Sequence, residues 1–173
     1  MIAPVCKVIG IWRGNDGNLA EVGYGRTDEA SANRWDAVDA LKEPRVKLRT
    51  VIELEDGSRV ILPTNEIAYI LPDKTGVLVL FDDDKLVQEG CISFSAPGNA
   101  AIFNSDGSLR FGLKNPEGKD AHFRAVVSLT LSDGSGGIGV RACPKFYPAC
   151  EYVYMVDGST DDLSKELPHW VRD

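Results

Sequence analysis

Short apolar runs rich in β-branched residues alternate along this chain with turn sequences that contain glycine. Asp-Gly dipeptides mark the clearest of these turns, for example Asp56-Gly57 and Asp106-Gly107. Glycine adopts positive φ without steric cost, and aspartate accepts hydrogen bonds from the turn backbone, so this dipeptide favours tight hairpins. The pattern predicts a mainly β (α+β) protein, built as a system of antiparallel hairpins and meanders.

The hairpin around Asp56 shows how the pattern defines strand pairing. Residues 45–54 alternate, with Val46, Leu48, Ile52 and Leu54 on one face and Arg45, Lys47, Arg49 and Glu53 on the other. A three-residue loop at 55–57 places Ile52 opposite Val60. The same register places Glu53 opposite Arg59, which is a favourable cross-strand charge pair. We therefore expect this register, with Lys47 on the polar face.

The hairpin around Asp106 is predicted in the same way. A loop at 105–107 places Phe103 opposite Leu109 and Ala101 opposite Phe111. The other face then carries Asn104, Ser108, Ile102 and Arg110. One apolar face and one largely polar face indicate a strand pair that covers a core on one side only.

One segment near the N-terminus has helical periodicity. Trp35, Val38 and Leu41 recur at three-residue spacing, and Pro44 ends the pattern. This spacing predicts one substantial helix over about residues 28–42, with Trp35 packed against the sheet.

The C-terminal part predicts a last strand and a short helix. Tyr152–Val156 has strand composition, and Ser159 with Asp162 resembles a capping box for a helix that reaches about residue 167. Between the hairpins, short runs such as Cys91–Phe94 suggest further strands of a meander. We interpret residues 1–173 as a single domain, with a possible weak subdivision near 96–99 or 115–119.

Composition and charge narrow the class of protein. The hydrophobic fraction is 43% and the charged fraction 26%, which is ordinary for a soluble globular protein. The formal net charge of -7 argues against binding to nucleic acid or to an anionic membrane, and it permits a basic protein partner. No signal-peptide pattern and no long apolar run are visible, so we expect a cytoplasmic protein.

The residues that most often carry chemistry are sparse and scattered. Two histidines, His122 and His169, are available as bases, and no nucleophile-elbow pattern is present. Among the four cysteines, Cys143 and Cys150 are close enough in sequence to be bridged, although no Cys-x-x-Cys pattern exists. The sequence therefore predicts no catalytic residues, no metal site and no cofactor, and we expect a protein that is not an enzyme.

Aromatic and acidic residues cluster towards the C-terminus. Tyrosine and tryptophan surrounded by charge are typical of protein-binding surfaces, where they act as amphipathic anchors. The predicted partner-binding residues are Tyr147, Glu151, Tyr152, Tyr154, Asp157, Asp161, Asp162 and Trp170.

The stretch Ala-Ala-Ile-Phe-Asn-Ser-Asp-Gly-Ser-Leu-Arg-Phe at 100–111, in a strand-rich and acidic chain, resembles immunity proteins of bacterial polymorphic toxin and contact-dependent growth inhibition systems. The resemblance covers about residues 77–157. It implies a non-enzymatic protein that neutralises a cognate toxin by stoichiometric binding, and an acidic surface would suit a basic nuclease toxin. These proteins share no residue motif, so the resemblance assigns no contact residues.

Two other classes of function stay open on the sequence. One is a small-ligand-binding protein, or an enzyme, with a carboxylate-lined pocket, because any two acidic residues can meet in a fold. The other is an architectural subunit of a larger assembly that uses an exposed strand edge as its interface.

Overall fold

The computed structural model describes residues 3–24, 35–82, 87–144 and 152–163, together with the backbone of residues 171–172. The elements defined there are β1 (Val5–Arg13), β2 (Leu19–Tyr24), α1 (Asp36–Asp39), β3 (Val46–Leu54), β4 (Arg59–Leu62), β5 (Ala68–Ile70), β6 (Gly76–Leu80), β7 (Ala100–Asn104), β8 (Leu109–Gly112), β9 (Ala121–Thr130), β10 (Gly136–Pro144), β11 (Tyr152–Val156) and β12 (Val171–Arg172). The strand pairs are antiparallel. The prediction of a mainly antiparallel β protein is confirmed.

The strands form three four-stranded sheets. The first sheet has the order β2-β1-β3-β4, the central sheet β5-β6-β7-β8, and the third sheet β11-β10-β9-β12. Successive side chains of the central strands enter two separate cores: Val77 and Val79 of β6 pack with the first sheet, and Leu78 between them packs with the third. The central sheet is therefore covered on both faces.

The hairpin of β3 and β4 has the register that the sequence predicts. Ile52 pairs with Val60, and Glu53 pairs with Arg59. The Arg59 Nε donates to Glu53 Oε2 at 3.0 Å, so the expected cross-strand charge pair is present.

The hairpin of β7 and β8 corrects one prediction. Phe103 pairs with Leu109 as expected, but Ala101 pairs with Gly112 instead of Phe111 because the register shifts by one residue beyond Phe103. Ile102 was expected on a polar face and is fully buried in the core shared with the third sheet. The prediction of a polar face assumed that only one face of β7 is covered by the rest of the protein. Both faces of β7 are covered, so both carry apolar residues.

The predicted substantial helix over 28–42 is not seen in the described residues. Residues 25–34 lie outside them, and α1 ends at Asp39. Beyond this point the carbonyl of Lys42 accepts a hydrogen bond from the Asn15 amide in the β1–β2 turn at 2.8 Å, so the chain is drawn towards the sheet. Val38 and Leu41 nevertheless pack on the first sheet, as their spacing indicated.

Two further local predictions also differ. Cys91–Phe94 forms no strand: the Cys91 amide donates to the carbonyl of Gln88 in a turn at 2.9 Å, and the Ile92 amide donates to the carbonyl of Pro63 at 2.7 Å. Residues 159–163 are not helical, because Ser159 donates from its amide and hydroxyl to Asp157 and so closes a turn. The rest of the predicted C-terminal helix, residues 164–167, lies outside the described part of the chain.

A buried asparagine links the central sheet to the third sheet. The side-chain amide of Asn99 donates to the carbonyls of Phe81 and Phe123 at 3.0 and 2.9 Å. Its carbonyl oxygen accepts from the Phe123 amide at 2.8 Å. All these groups are buried, and loss of the partner of a buried polar group costs about 1–3 kcal/mol for each group. Asn99 therefore fixes β9 against the end of β6.

The Asp-Gly turns share one hydrogen-bond pattern. Asp56, Asp106 and Asp133 each accept from the hydroxyl of the serine two residues later at 2.6 Å. Each also accepts from the amide of the same serine at 2.8 or 2.9 Å. Both bonds favour the charged form of the carboxyl, and the bond from the hydroxyl has the larger effect. They hold the pKa of each of the three carboxyls below its ordinary value.

We predict that these turns contribute to acid sensitivity. Because the folded-state pKa values are depressed, the stabilisation is present above about pH 4 and is lost as the pH falls through those values. The triple variant Asp56→Asn, Asp106→Asn, Asp133→Asn keeps the acceptor oxygen but does not titrate. Its free energy of unfolding, measured by urea denaturation, should fall less steeply below pH 4 than that of the wild type. Identical slopes for the two proteins would contradict this account.

Candidate functional site

Three aromatic side chains meet at the outer end of the first sheet. Trp12 on β1 and Trp35 before α1 are in edge contact, with ring centroids 5.8 Å apart. Tyr24 at the end of β2 contacts Trp35 in the same manner at 6.0 Å, and its hydroxyl accepts from the Trp12 Nε1 at 3.3 Å. Trp35 remains 37% exposed, so it is not the fully packed anchor that the sequence suggested. The cluster offers a surface that is both apolar and solvent-accessible.

A glycine and a buried lysine hold Tyr24 in place. A Cβ atom on Gly10 would lie 2.7 Å from the Tyr24 ring, so the ring occupies the space that only glycine leaves open. Lys47 Nζ lies 4.9 Å from the centroid of the same ring, a cation–π distance. The ring thus packs between the strand backbone and a cation.

Lys47 was predicted on the polar face of β3, and this prediction is wrong. The pairing of β1 with β3 shifts by one residue after Ile11, which places Trp12 opposite Lys47. The shift turns the lysine side chain inward, where it is only 5% exposed, and its Nζ donates to the backbone carbonyl of Glu66 at 2.9 Å. A hydrogen-bonded lysine therefore forms part of the floor beneath the aromatic residues.

Strand β5 continues this surface towards the third sheet. Ile67 and Tyr69 are 39% and 37% exposed, and the partial burial of Tyr69 raises the pKa of its hydroxyl. A cleft of about 410 Å³ and a second of about 800 Å³ share Tyr24, Trp35 and Ile67 in their walls. We call the combined feature, lined by Trp12, Tyr24, Trp35, Ile67 and Tyr69, the aromatic groove.

A separate, more polar cleft of about 810 Å³ lies where β9 begins. Its walls include the carboxylates of Asp82 and Asp120, the imidazole of His122 and the thiol of Cys143. His122 is paired with Cys143 across the β9–β10 ladder, and the buried Cys143 thiol donates to the carbonyl of Pro144 at 3.8 Å. The cleft thus combines acidic and basic side chains, which is a composition that suits a polar small molecule.

The predicted partner-binding residues are only partly brought together. Tyr154 is buried in the core beside the third sheet and donates a hydrogen bond to Glu117; burial, then this bond, raises the pKa of its hydroxyl. Tyr152 is half-buried. Asp157, Asp161 and Asp162 lie in the loop after β11, where Lys114 contacts the last two carboxylates at 2.8 and 3.7 Å. Tyr147, Glu151 and Trp170 lie outside the described residues.

The aromatic groove was missed by reasoning from the sequence. Its residues come from β1, β2, β5 and the segment before α1, and no local pattern relates them. The usable signal was indirect: Gly10 interrupts the apolar run at 8–12, and such a glycine often marks the close approach of another group. Here that group is the ring of Tyr24.

Comparison with models of protein families, with curated proteins and with solved structures finds no match to this chain. Within the described ranges, no group of three or more histidine, cysteine or acidic side chains is arranged to hold a metal ion. No helix of that part of the chain is both long and apolar enough to cross a membrane.

We predict that Gly10→Ala disturbs the groove. The new methyl group would press on Tyr24 and lower the free energy of unfolding by about 1–3 kcal/mol, as overpacking does. The emission of Trp12 and Trp35 should change with it, as measured by tryptophan fluorescence.

Gly136→Ala is the matched control, because a Cβ atom at this strand position would have no heavy atom within 4 Å. This variant should leave both stability and emission close to the wild type. A Gly10→Ala protein with wild-type stability and fluorescence would show that Tyr24 does not lie against Gly10.

Proposed function

We propose that this chain is a non-enzymatic binding protein that holds a protein partner in the aromatic groove. The observation that carries the proposal is the partial exposure of Trp35, Tyr69 and Ile67 in one concave surface. Tryptophan and tyrosine dominate the binding energy of protein interfaces when they lie in partly closed pockets that exclude water. An aromatic surface that is concave and preformed can bind with little loss of side-chain entropy.

Charge favours a basic partner. The net charge of the chain is -7. Asp36, Asp39 and Glu43 follow Trp35 closely and are exposed, and the Arg45 guanidinium contacts both Asp39 and Glu43. The charged residues in the walls of the groove are Arg45 and Lys47, so the net charge of the whole chain is what attracts a positively charged protein and raises the association rate, an effect that salt screens.

These properties support the more specific proposal of an immunity protein. A stoichiometric inhibitor of a basic nuclease toxin needs an acidic surface with aromatic anchors, and the aromatic groove supplies the anchors. The exposed loop with Asp157 and Asp162 adds to the negative field of the molecule. In this proposal the groove is the principal contact, and Tyr154, one of the eight residues predicted to bind a partner, is not a contact because its side chain is buried.

The polar cleft favours a second candidate function, the binding of a small polar molecule. Asp82 and Asp120 give it two carboxylates, as the carboxylate-lined pocket considered above requires, and His122 with Cys143 adds a base and a thiol. A thermal-shift screen with amino acids, sugars and nucleotides would distinguish this function, since a specific ligand raises the unfolding temperature.

We predict that Trp35→Ala weakens the complex with a toxin domain. The test applies where a large secreted protein is encoded immediately upstream: its C-terminal domain is co-expressed with this chain to measure growth, and a catalytically inactive form of that domain is purified to measure binding. The wild type should restore growth and form a 1:1 complex. Trp35→Ala should raise the Kd by about 30-fold or more, as the loss of a central aromatic anchor does.

Leu109→Ala is the matched control. Leu109 is 46% exposed and lies on β8, at the opposite edge of the central sheet from β5, so its loss should leave the Kd unchanged. Absence of any complex with the wild type would refute the proposed function. An association rate that does not fall as salt rises would refute its electrostatic part.

A further inference from the structure

Strand β5 is an edge of the central sheet with one side of its backbone open. The hydrogen bond from the Leu71 amide to the carbonyl of Gly76 fixes which residues of β5 bond to β6. Because bonded and non-bonded pairs alternate in an antiparallel ladder, Tyr69 exchanges hydrogen bonds with Leu78, which is its partner in the register. Ala68 and Ile70 must therefore direct their amides and carbonyls away from β6.

The β6–β7 ladder supports the same assignment. The Phe81 amide donates to the carbonyl of Asn99, so by alternation Val79 and Val77 bond to β7 and not to β5. These two valines are the register partners of Ala68 and Ile70. No described segment forms a backbone hydrogen bond with Ala68 or Ile70 on their open side.

The first sheet covers this side from Glu66 to Ala68, which is only 3% exposed, so the accessible part of the edge begins at Ile70. The carbonyl of Glu66, two residues before Ala68 on the same side of the chain, accepts hydrogen bonds from Lys47 Nζ and the Thr50 hydroxyl. Side chains of the first sheet thus replace a strand partner at that point. Ala68 and Ile70 continue the series into the larger cleft of the aromatic groove.

This cleft has walls on both sides of the β5 edge. Val8 and Tyr24 of the first sheet form one wall, and Ser128 and Ile138 of the third sheet form the other. The cleft therefore lies beside the edge of the central sheet, between the first and third sheets. A strand added beside β5 would be covered on both faces, as β6 and β7 already are.

We infer that the partner inserts an extended segment that pairs with β5 as a fifth strand of the central sheet. The inference rests on the proposed function and specifies its binding mode, which is β-strand addition. The outward N–H and C=O groups of the half-buried Ile70 supply the backbone hydrogen bonds. The walls are apolar apart from Ser128, so they favour a segment whose side chains are mainly apolar.

A strand is favoured over a helix or a small molecule by the geometry of the edge. The outward N–H and C=O of Ile70 lie side by side at the edge, and one residue of an adjacent strand can bond to both. A helix satisfies its own backbone groups and would leave these unpaired. Exposed edges are also the usual sites at which other chains add to a sheet.

The experiment compares Ile70→Pro with Ile70→Ala in binding to the inactive toxin domain described above. Both variants lose the isoleucine side chain, but only proline removes the outward amide and places a ring at the open edge. The bond between Tyr69 and β6 is kept in both. Ile70→Pro should bind at least about tenfold more weakly than Ile70→Ala, and equal Kd values would overturn strand addition.

A second measurement uses the wild type, so that a folding defect of the proline variant cannot decide the result. Amide hydrogen exchange at Ile70 should be fast in the free protein and at least about tenfold slower in the complex, whereas the Tyr69 amide should be protected in both. Unchanged exchange at Ile70 would overturn the inference even if Trp35→Ala weakens binding, and the proposed function would then stand alone. Failure of the wild type to bind would refute the proposed function itself.

Discussion

Burial of both faces of the central sheet is the constraint on which the rest of this molecule depends. Val77 and Val79 contact the core of the first sheet, while Leu78 and Ile102 contact that of the third. A strand covered on two sides must be apolar at every position, and full burial of a valine or leucine stabilises by about 1.5–3 kcal/mol. The outer sheets are held by this central layer through one of their faces.

The same layering explains where a binding site can lie. Faces of the central sheet are unavailable to a partner, so its accessible features are its edges and the space between the outer sheets. At the β5 edge this space is lined by Tyr24 and Ile67 and floored in part by buried Lys47. At the start of β9, Asn99 hydrogen-bonds to Phe81 and Phe123 and so joins the central sheet to the third sheet. The polar cleft lies beside this link. The two candidate sites are thus consequences of one architecture.

Local signals predicted the turns well, because an Asp-Gly-Ser turn is determined by its own hydrogen bonds. The register that pairs Glu53 with Arg59 was also predictable, because it follows from the length of the loop. Features that depend on distant segments were not predictable. The inward turn of Lys47 results from a register shift against β1, and the burial of Ile102 results from a sheet encoded later in the chain. The aromatic groove joins residues from four separate segments for the same reason.

Native-state hydrogen exchange of the free protein tests the layered arrangement most directly. The amides that join β6 to β7, those of Val77, Val79 and Ala101, should be the slowest in the chain and should exchange only through global unfolding, since both outer sheets must separate before they open. Their exchange free energies should equal the free energy of unfolding measured with denaturant. Exchange of these amides that is faster than that of the β9–β10 ladder would contradict a central sheet enclosed on both faces.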